Sequence, residues 1–258
     1  MHYRQLFYTS LNVSQYKVVS CRSGWWQFTQ ENTICAAPSV MVILAAWNEE
    51  IGIGQTLAEL ERYLDCSRIL VVDGNSRDST VYVAKNLGAE VVCQEGKGKG
   101  DAISSAIKHI NEDIDYVVFT DADYTYPAEF LPQMIQILDE NPNIGMVCGN
   151  RFNSHFHTDR MSDIFYVGNR LLAATHNMLN GVNMRDPLTG LRVLRGSIVR
   201  NWKPKSKGFD IEVEMNHRVE DQGYGISEID IPYRARLGEK KLKVRHGFQI
   251  LKRMMIEI

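Results

Sequence analysis

From residue 39 onward, short runs of apolar residues alternate with longer segments in which apolar residues recur at helical spacing. A continuous apolar run is typical of a strand buried on both faces, and helices between such strands indicate parallel pairing. The predicted strands cover residues 40–46, 68–73, 89–93, 116–121, 144–149, 189–194 and 226–233. The predicted helices cover residues 48–64, 78–88, 100–110, 127–140, 161–180, 209–222 and the end of the chain. This pattern predicts a Rossmann-like α/β domain with a central, mostly parallel sheet flanked by helices.

The two ends of the chain depart from this alternation. Residues 1–38 show no clear periodicity, so we predict an irregular accessory segment of unknown role, followed by one domain over residues 39–258. The last helix carries an apolar stripe beside a basic flank, formed by Val244, Phe248, Leu251 and Met255. Two interpretations of this helix stay open: the stripe packs on the domain, or the helix lies on anionic lipid.

Composition is that of an ordinary soluble protein, with 44% hydrophobic residues and a net charge of −2 over 258 residues. The sequence contains no apolar run long enough to span a bilayer and no signal-peptide pattern. Its five cysteines are odd in number and form no CxxC pair, which favours reduced thiols in the cytosol. Residues 234–253 hold eight Lys or Arg against one acid, Glu239. A segment this basic predicts an anionic partner: phosphates, nucleic acid or a membrane surface.

The strand over residues 116–121 ends in two acids, Asp121 and Asp123, separated by one alanine. Residues two apart on an extended backbone point to the same side, so the carboxylates would lie roughly 7 Å apart. At that distance they repel by about 2–3 kcal/mol for an effective dielectric of 20. Three other predicted strands also end in polar residues, and ligands of parallel sheets bind at the carboxyl ends of strands. The acid pair therefore belongs to a predicted site.

Two glycine-rich segments lie near these strand ends. GIG at residues 52–54 lacks the third glycine of a dinucleotide fingerprint, so we do not predict nicotinamide binding from it. GKGKG at residues 96–100 is not a Walker A loop, because no Ser or Thr follows at the required spacing. Its amides could still cradle phosphate at a helix start, with Lys97 or Lys99 adding charge.

Eight short motifs occur in order between about residues 40 and 250: AAWNEE, VVDGNSRDST, KGKGDAI, DAD, GNRF, DPLTGLRVLR, KGFDIEVEM and RLGEKKLK. Together they resemble family 2 glycosyltransferases of the dolichyl-phosphate mannose synthase type. The resemblance implies a GT-A fold, the Rossmann-like fold of nucleotide-diphospho-sugar transferases. It also implies transfer of a hexose from a GDP- or UDP-sugar to dolichyl or another polyprenyl phosphate, with Mg²⁺ or Mn²⁺. The protein would then act at the cytosolic face of a membrane, with the membrane surface or a membrane protein as a partner, and not on nucleic acid.

The resemblance also implies roles for individual residues. The nucleotide-sugar positions are Ala45, Trp47, Glu49, Asp73, Asn75, Lys97, Lys99, Asp101, Ala122, Arg236 and Lys241. The metal positions are Asp121, Asp123 and Thr125. The acceptor positions are Arg151, Arg160, Arg170 and Arg192, with Asp186 on the acceptor side or structural. The catalytic positions are Asp121, Asp123, Arg151 and Glu214. Of the two acids Glu212 and Glu214, which cannot face the same way on a helix, we favour Glu214.

The chain departs from the family pattern at several of these positions. Ala45 and Trp47 replace the usual Pro and Tyr, and Lys240 stands where Ser is common. Ser162 and Tyr166 occupy places where the family has Arg and Ser, so Arg160 or Arg170 would have to substitute. These departures affect the expected identity of the acceptor more than the donor chemistry.

The chemistry of this reaction suits the residues present. A divalent cation held by carboxylates and substrate phosphates would offset the charge that develops on a diphosphate leaving group. A monophosphate acceptor needs no general base, since its second pKa near 6 leaves it largely anionic. The sequence offers no Ser-His-Asp or nucleophilic cysteine arrangement. We therefore expect a single displacement with inversion at the anomeric carbon.

Three alternatives stay open at this point. A related transferase acting on a soluble or protein-borne saccharide would need a general base. A sugar nucleotidyltransferase would carry a GxGTR-type loop after the first strand, where this chain has AAWNEE. A non-catalytic nucleotide-sugar-binding subunit would tolerate the departures from the family pattern.

Overall fold

The computed structural model describes residues 16–20, 26–30, 37–64, 67–152, 164–180, 183–239, 241 and 244–256. The chain divides into two compact units, Met1–Ala37 and Pro38–Ile258. Strands β1 (Tyr16–Ser20) and β2 (Trp26–Gln30) pair antiparallel in the first unit. The sequence interpretation of this region as irregular therefore missed a hairpin. WQFTQ alternates apolar and polar residues, which is a strand signal that we overlooked.

The second unit is built on one seven-stranded sheet among the described residues. Its strands are β3 (Val40–Ala46), β4 (Arg68–Asp73), β5 (Glu90–Cys93), β6 (Tyr116–Asp121), β7 (Ile144–Asn150), β8 (Arg192–Arg195) and β9 (Gly225–Asp230). The strand order is β5-β4-β3-β6-β8-β7-β9. Only β8 runs antiparallel to its neighbours β6 and β7, and the other pairs in this sheet are parallel. The prediction of a mostly parallel sheet is confirmed.

Helices cover both faces of this sheet. They are α1 (Ile53–Tyr63), α2 (Thr80–Asn86), α3 (Lys99–Ile107), α4 (Leu131–Glu140), α5 (Ile164–Asn180), α6 (Gly196–Val199), α7 (Ile211–Asp221) and α8 (Val244–Ile256). Alternate residues of β6 enter two separate cores: Val118 packs with α1 and α4, whereas Val117 and Phe119 pack with α3 and α7. Continuous apolar strands thus feed two cores, as expected for a sheet buried on both faces.

The largest differences from the predicted elements lie next to the strand ends. Helix α1 begins at Ile53, with Gly52 as N-cap, and not at the predicted cap Asn48. Residues 127–140 divide into a 3₁₀ turn, Ala128–Phe130, followed by α4. Strand β8 begins at Arg192, because the residues before it form a loop that contacts the site described below. These segments form turns and loops at the site, where the local sequence pattern favours regular helix or strand.

A third, smaller core joins α5 and α8 to the domain. Ile250 and Met254 of α8 pack with Val213 of α7, and Leu172 of α5 lies against them. One side of the last helix therefore packs on the domain. Within the described part of the chain, no helix combines the length and the apolar content that crossing a bilayer demands.

A buried histidine on α5 predicts a pH-dependent stability. His176 is fully buried, and burial lowers its pKa to about 4, with the neighbouring His217 and Arg192 adding to the shift. Because the unfolded chain binds a proton below about pH 6.5 and the folded chain does not, stability falls as the pH drops from 6.5 towards 4. We expect a loss of about 3 kcal/mol from this group. Urea unfolding at several pH values measures it; the same pH dependence in His176→Gln would contradict the assignment.

Candidate active site

The carboxyl ends of three neighbouring strands form one polar edge of the sheet. Ala46 of β3 lies in register with Asp73 of β4, and Ala45 lies in register with Asp121 of β6. The chain turns sharply after each strand, and a residue with positive φ follows each of them: Asn48 (52°), Asn75 (62°) and Tyr124 (66°). Asn tolerates this conformation, whereas Tyr124 is unusual there. Its amide is held by the Thr56 hydroxyl at 3.0 Å.

Asp121 shares a buried cation with an acid that the sequence did not single out. Its Oδ1 lies 2.7 Å from Nζ of Lys99, and the same Nζ lies 2.7 Å from Oε1 of Glu212. Burial opposes the charge on Asp121, but the ammonium of Lys99 outweighs burial and lowers the pKa of that carboxyl. Lys99 is held protonated in the same way, since the two carboxylates overcome the effect of its burial and raise its pKa. The ammonium of Lys99 is therefore engaged by two carboxylates in this structure and does not extend towards a phosphate site at the GKGKG turn.

Asp123 is more deeply buried than Asp121, at 1% exposure. Its Oδ1 accepts hydrogen bonds from the Thr125 amide (3.1 Å) and hydroxyl (2.6 Å). Its Oδ2 lies 2.9 Å from Nη1 of Arg236. Burial raises the pKa of Asp123, and the negative charge of Asp121 raises it further. The two acids thus repel each other, and each is balanced by a side-chain cation.

Residues 234–238, here called the closing segment, cover the acid pair. The amides of Arg234 and Leu237 donate to the carbonyl oxygens of Thr125 (3.0 Å) and Asp123 (3.1 Å). Arg236 bridges Asp123 to Glu49, with its Nη2 lying 2.5 Å from Oε1 of Glu49. In this conformation the guanidinium of Arg236 lies where a cation beside Asp123 would sit.

Trp47 and Glu49, two of the predicted nucleotide-sugar positions, lie in the loop after β3 at this edge. Burial raises the pKa of Glu49 to about 7, although Arg236 opposes that shift. Lys241 donates to the carbonyl oxygen of Asn48 at 3.2 Å, and its ammonium lies 5.4 Å from the centre of the Trp47 ring. Trp47 is half exposed and is available for stacking. The basic tail of the sequence therefore reaches the predicted nucleotide positions.

Oε2 of Glu49 and Oδ1 of Asp73 are buried at this edge and accept no hydrogen bond within the described residues, and Oδ2 of Asp123 is engaged by its ion pair with Arg236. An unsatisfied buried acceptor is costly, so its persistence calls for a ligand that donates to it. Two carboxylates together with substrate phosphates are a usual way of holding Mg²⁺. Asp121 and Asp123 fit that donor set, provided that Arg236 moves off Asp123. No cluster of three potential metal-binding side chains occurs in the described residues, so a substrate would have to complete the coordination.

The predicted acceptor side lies beyond Asp121. Arg151 forms a two-pronged ion pair with the buried Asp186, with Nε–Oδ2 at 2.6 Å and Nη2–Oδ1 at 2.8 Å. Its guanidinium also stacks 5.3 Å from the centre of the Tyr233 ring. Arg151 and Arg170 both lie against the ring of Phe152, at 5.7 and 5.4 Å. Two of the arginines that the sequence placed on the acceptor side are therefore brought together, and Arg160 lies outside the described residues.

Four of the predicted site residues have structural partners among the described residues, and their functional roles stay predictions. Arg192 is 1% exposed, and its guanidinium bonds the carbonyl oxygens of Pro187 and Thr189 and the side chain of Asn216, so it holds the loop before β8 and does not face an acceptor. Thr125 is fully buried, and its hydroxyl donates to Asp123, so in this structure it orients that carboxylate, and its metal role stays a prediction. Asp101 accepts from the amide of Lys97 and so closes the GKGKG turn.

The fourth of these residues, Glu214, is one of two acids on α7. Both oxygens of Glu214 accept backbone amides, from Lys205 (2.7 Å) and Ser206 (2.6 Å), so Glu214 shapes that loop. Glu212 is the acid that reaches Lys99 and the acid pair. Sequence spacing showed that the two acids diverge, but not which one faces the site. The remaining predicted positions, Asn75, Lys97 and Ala122, lie on the loops at the strand ends.

Gly52 explains the GIG segment of the sequence. A Cβ at Gly52 would lie 2.8 Å from Cα of Asp123 and 2.9 Å from the carbonyl oxygen of Ala122. The start of α1 therefore packs directly on the backbone of the acid pair, where only glycine fits. A Cβ at Gly54, two residues further, would meet only side-chain methyl groups, of Val83 at 3.4 Å and of Leu87 at 3.9 Å.

This contrast gives a matched pair of variants. We expect Gly52→Ala to displace the acid pair and to lower the free energy of unfolding by about 1–3 kcal/mol. Gly54→Ala should instead stabilise α1, by up to about 1 kcal/mol, because alanine favours helix. Thermal unfolding of both variants measures the difference. Equal stability of the two would contradict the close packing of α1 on the acid pair.

Comparisons with known proteins agree with this architecture. The family model for glycosyl transferase family 2 matches residues 41–202. A dolichyl-phosphate hexose transferase of Haloferax volcanii is 32% identical over 220 residues, covering 84% of this chain and 92% of that protein. A dolichol-phosphate mannosyltransferase of Pyrococcus furiosus is 25% identical over 230 residues, covering 83% of this chain and 62% of that protein.

The fold is also found among solved structures. Glucosyl-3-phosphoglycerate synthase from Mycobacterium tuberculosis, crystallised with Mn²⁺, UDP-glucose and phosphoglyceric acid, superimposes with a TM-score of 0.68 at 21% identity. The match covers 85% of this chain and 79% of that one. This likeness confirms the predicted GT-A fold, and the sequence matches confirm the predicted glycosyltransferase. The chain belongs to glycosyl transferase family 2.

Proposed function

We propose that this glycosyltransferase moves a hexose from a GDP- or UDP-sugar to dolichyl or another polyprenyl phosphate, with inversion at the anomeric carbon. The observation that carries the proposal is the row of buried carboxylates on Glu49, Asp73 and Asp123 under a basic segment, in which Oε2 of Glu49 and Oδ1 of Asp73 accept no hydrogen bond and Arg236 pairs with Asp123. Nucleotide and sugar hydroxyls supply donors for such oxygens. The names of the Haloferax and Pyrococcus relatives support a polyprenyl phosphate acceptor.

The donor occupies the ends of β3, β4 and β6 in this proposal. Asp73 and Glu49 accept hydrogen bonds from the nucleoside, and Trp47 stacks on it. Asp121 and Asp123 are the residues that would hold Mg²⁺ or Mn²⁺, which supplies positive charge for the leaving diphosphate. The Mycobacterium synthase was crystallised with Mn²⁺ and UDP-glucose, which is consistent with this role. Arg236 moves from Asp123 to the diphosphate when the donor enters, and its charge then stabilises the departing oxygens.

The acceptor phosphate approaches from the Arg151 side. The guanidinium groups of Arg151 and Arg170, close together on Phe152, orient the phosphate. A phosphate oxygen attacks the anomeric carbon, the bond from that carbon to the diphosphate breaks, and its electron pair leaves with the diphosphate. No proton has to be removed, because the phosphate is already anionic. The protein would work as a peripheral enzyme at the cytosolic face of the membrane that holds its acceptor.

A screen of labelled donors tests this function. Purified protein is incubated with short-chain polyprenyl phosphate and each radiolabelled GDP- or UDP-hexose, and label is counted in the organic phase. We expect one donor to label the lipid, and NMR of that product to show inverted anomeric configuration. Transfer only to a soluble saccharide, or a retained configuration, would contradict the proposal.

A further inference from the structure

The outward faces of α5 and α8 carry large apolar side chains that nothing in the described structure covers. Leu171 and Met178 of α5 are 68% and 77% exposed, and Phe248 and Met255 of α8 are 73% and 55% exposed. Each pair is seven residues apart, so its two members share one face of their helix. Large groups of exposed apolar residues on a soluble protein usually mark a site that binds another molecule or a membrane.

Both helices pack on the domain through their other sides, so the exposed residues belong to well-packed helices. Ile250 and Met254 of α8 are buried against α7, and Ala173 and His176 of α5 are buried as well. Helices α5 and α8 also pack against each other. Each helix of this packed pair therefore has an exposed apolar side.

The charged residues on these two helices are all basic. Neither α5 nor α8 contains an Asp or Glu. Lys252 lies between Phe248 and Met255 on the exposed side of α8, and it lines an open cavity of about 280 Å³ together with Lys205 and Lys207. The acid that also lines this cavity, Asp210, is engaged by Arg253 at 3.2 Å. Apolar side chains set among free lysines match an anionic lipid surface.

We infer that the α5–α8 face docks on a bilayer that carries anionic lipid headgroups. This face consists of Leu171, Met178, Phe248 and Met255 with Lys205, Lys207 and Lys252. A second copy of the chain fits it less well, because a two-fold contact through this face would bring two basic faces together. The choice of a bilayer rests on the proposed function, whose acceptor is a lipid.

Docking on this face would bring the bilayer close to the site. The lysines of the face flank Ser206, and the carbonyl oxygen of Lys207 accepts the Gly100 amide at 3.0 Å, in the turn that carries Lys99. Lys99 in turn contacts Asp121. One layer of chain therefore separates the docking face from the acid pair.

Vesicle sedimentation of the full chain tests the inference without any sugar donor. We expect binding to vesicles of phosphatidylcholine with phosphatidylglycerol (3:1 by moles) to exceed binding to pure phosphatidylcholine. Phe248→Ser/Met255→Ser and Lys205→Gln/Lys252→Gln should each weaken anionic-vesicle binding by about 10-fold or more. The controls are Tyr82→Ser/Leu87→Ser and Lys85→Gln, which change exposed residues in α2 or just after it and should bind like wild type.

Three outcomes would overturn the inference: no binding of wild type to anionic vesicles, equal loss in the α2 controls, or a wild-type dimer that Phe248→Ser/Met255→Ser dissociates. Transfer to a water-soluble, short-chain acceptor phosphate separates this test from that of the proposed function. The docking variants should keep that rate while losing vesicle binding. If neither the wild type nor the docking variants transfer sugar, the proposed function fails. The vesicle result still shows whether this face binds the bilayer.

Discussion

Asp123→Asn should lower kcat/KM for sugar transfer by about 10³-fold or more while leaving the fold intact. The substitution keeps the shape of the side chain and an oxygen for the Thr125 hydrogen bonds. It removes the negative charge that the proposed cation and diphosphate require. Because Asp121 and burial both raise the pKa of Asp123, losing this charge also relieves repulsion, so we expect the melting temperature to stay equal or to rise.

The measurement is a steady-state rate with the labelled donor identified in the screen, alongside thermal unfolding. Asp113→Asn, at an exposed acid away from the site, is the matched control and should keep the wild-type rate. A rate for Asp123→Asn within tenfold of wild type would contradict the role of the acid pair. Loss of activity together with a large loss of stability would point to a structural role instead.

Arg236→Ala should cause the second largest loss of kcat/KM, and it should also change how kcat/KM depends on pH. Arg236 is the cation that lies on both Glu49 and Asp123, and it lowers the pKa of each. Without it both carboxyls hold their protons to higher pH. We expect kcat/KM at pH 7 to fall about 10²-fold and the acid limb of the pH–rate profile to move to higher pH.

Arg234→Ala is the matched control for this variant. Arg234 lies two residues earlier in the closing segment, but its guanidinium pairs with Glu59 at 2.6 and 2.8 Å, away from the acid pair. Its loss should reduce the rate less and leave the acid limb in place. An unmoved acid limb in Arg236→Ala would show that Arg236 does not control the ionisation of the site.

The sequence predicted the sheet well because its strands are defined by local pattern. The short, continuous apolar runs of β3, β4 and β6 are typical of buried strands, and their polar ends lie where parallel sheets bind ligands. It could not predict the antiparallel direction of β8, since a short apolar strand looks the same in either direction. It also assigned a cap at Asn48, where a turn residue with positive φ closes the site.

Side-chain partners were harder to predict than positions. Lys99 sits in a motif that suggests phosphate binding, yet tertiary packing gives it two carboxylates, Asp121 and Glu212. Choosing between Glu212 and Glu214 required the rotation of α7, which its short amphipathic pattern does not fix. Arg192 shows the same limit, because a charged residue in a motif gives no sign that it is buried against carbonyl oxygens.

The most direct test of whether the acid pair holds a cation with the donor diphosphate is a Mn²⁺ titration. The binding is monitored through the electron paramagnetic resonance signal of the free ion. Free Mn²⁺ is titrated with protein at a fixed concentration of the active donor's nucleoside diphosphate. We predict that wild-type protein lowers the free Mn²⁺ signal below the level reached with the nucleotide alone. The variant Asp121→Asn/Asp123→Asn should leave the signal at the level of the nucleotide alone. Equal depletion by wild type and this double variant would contradict the account.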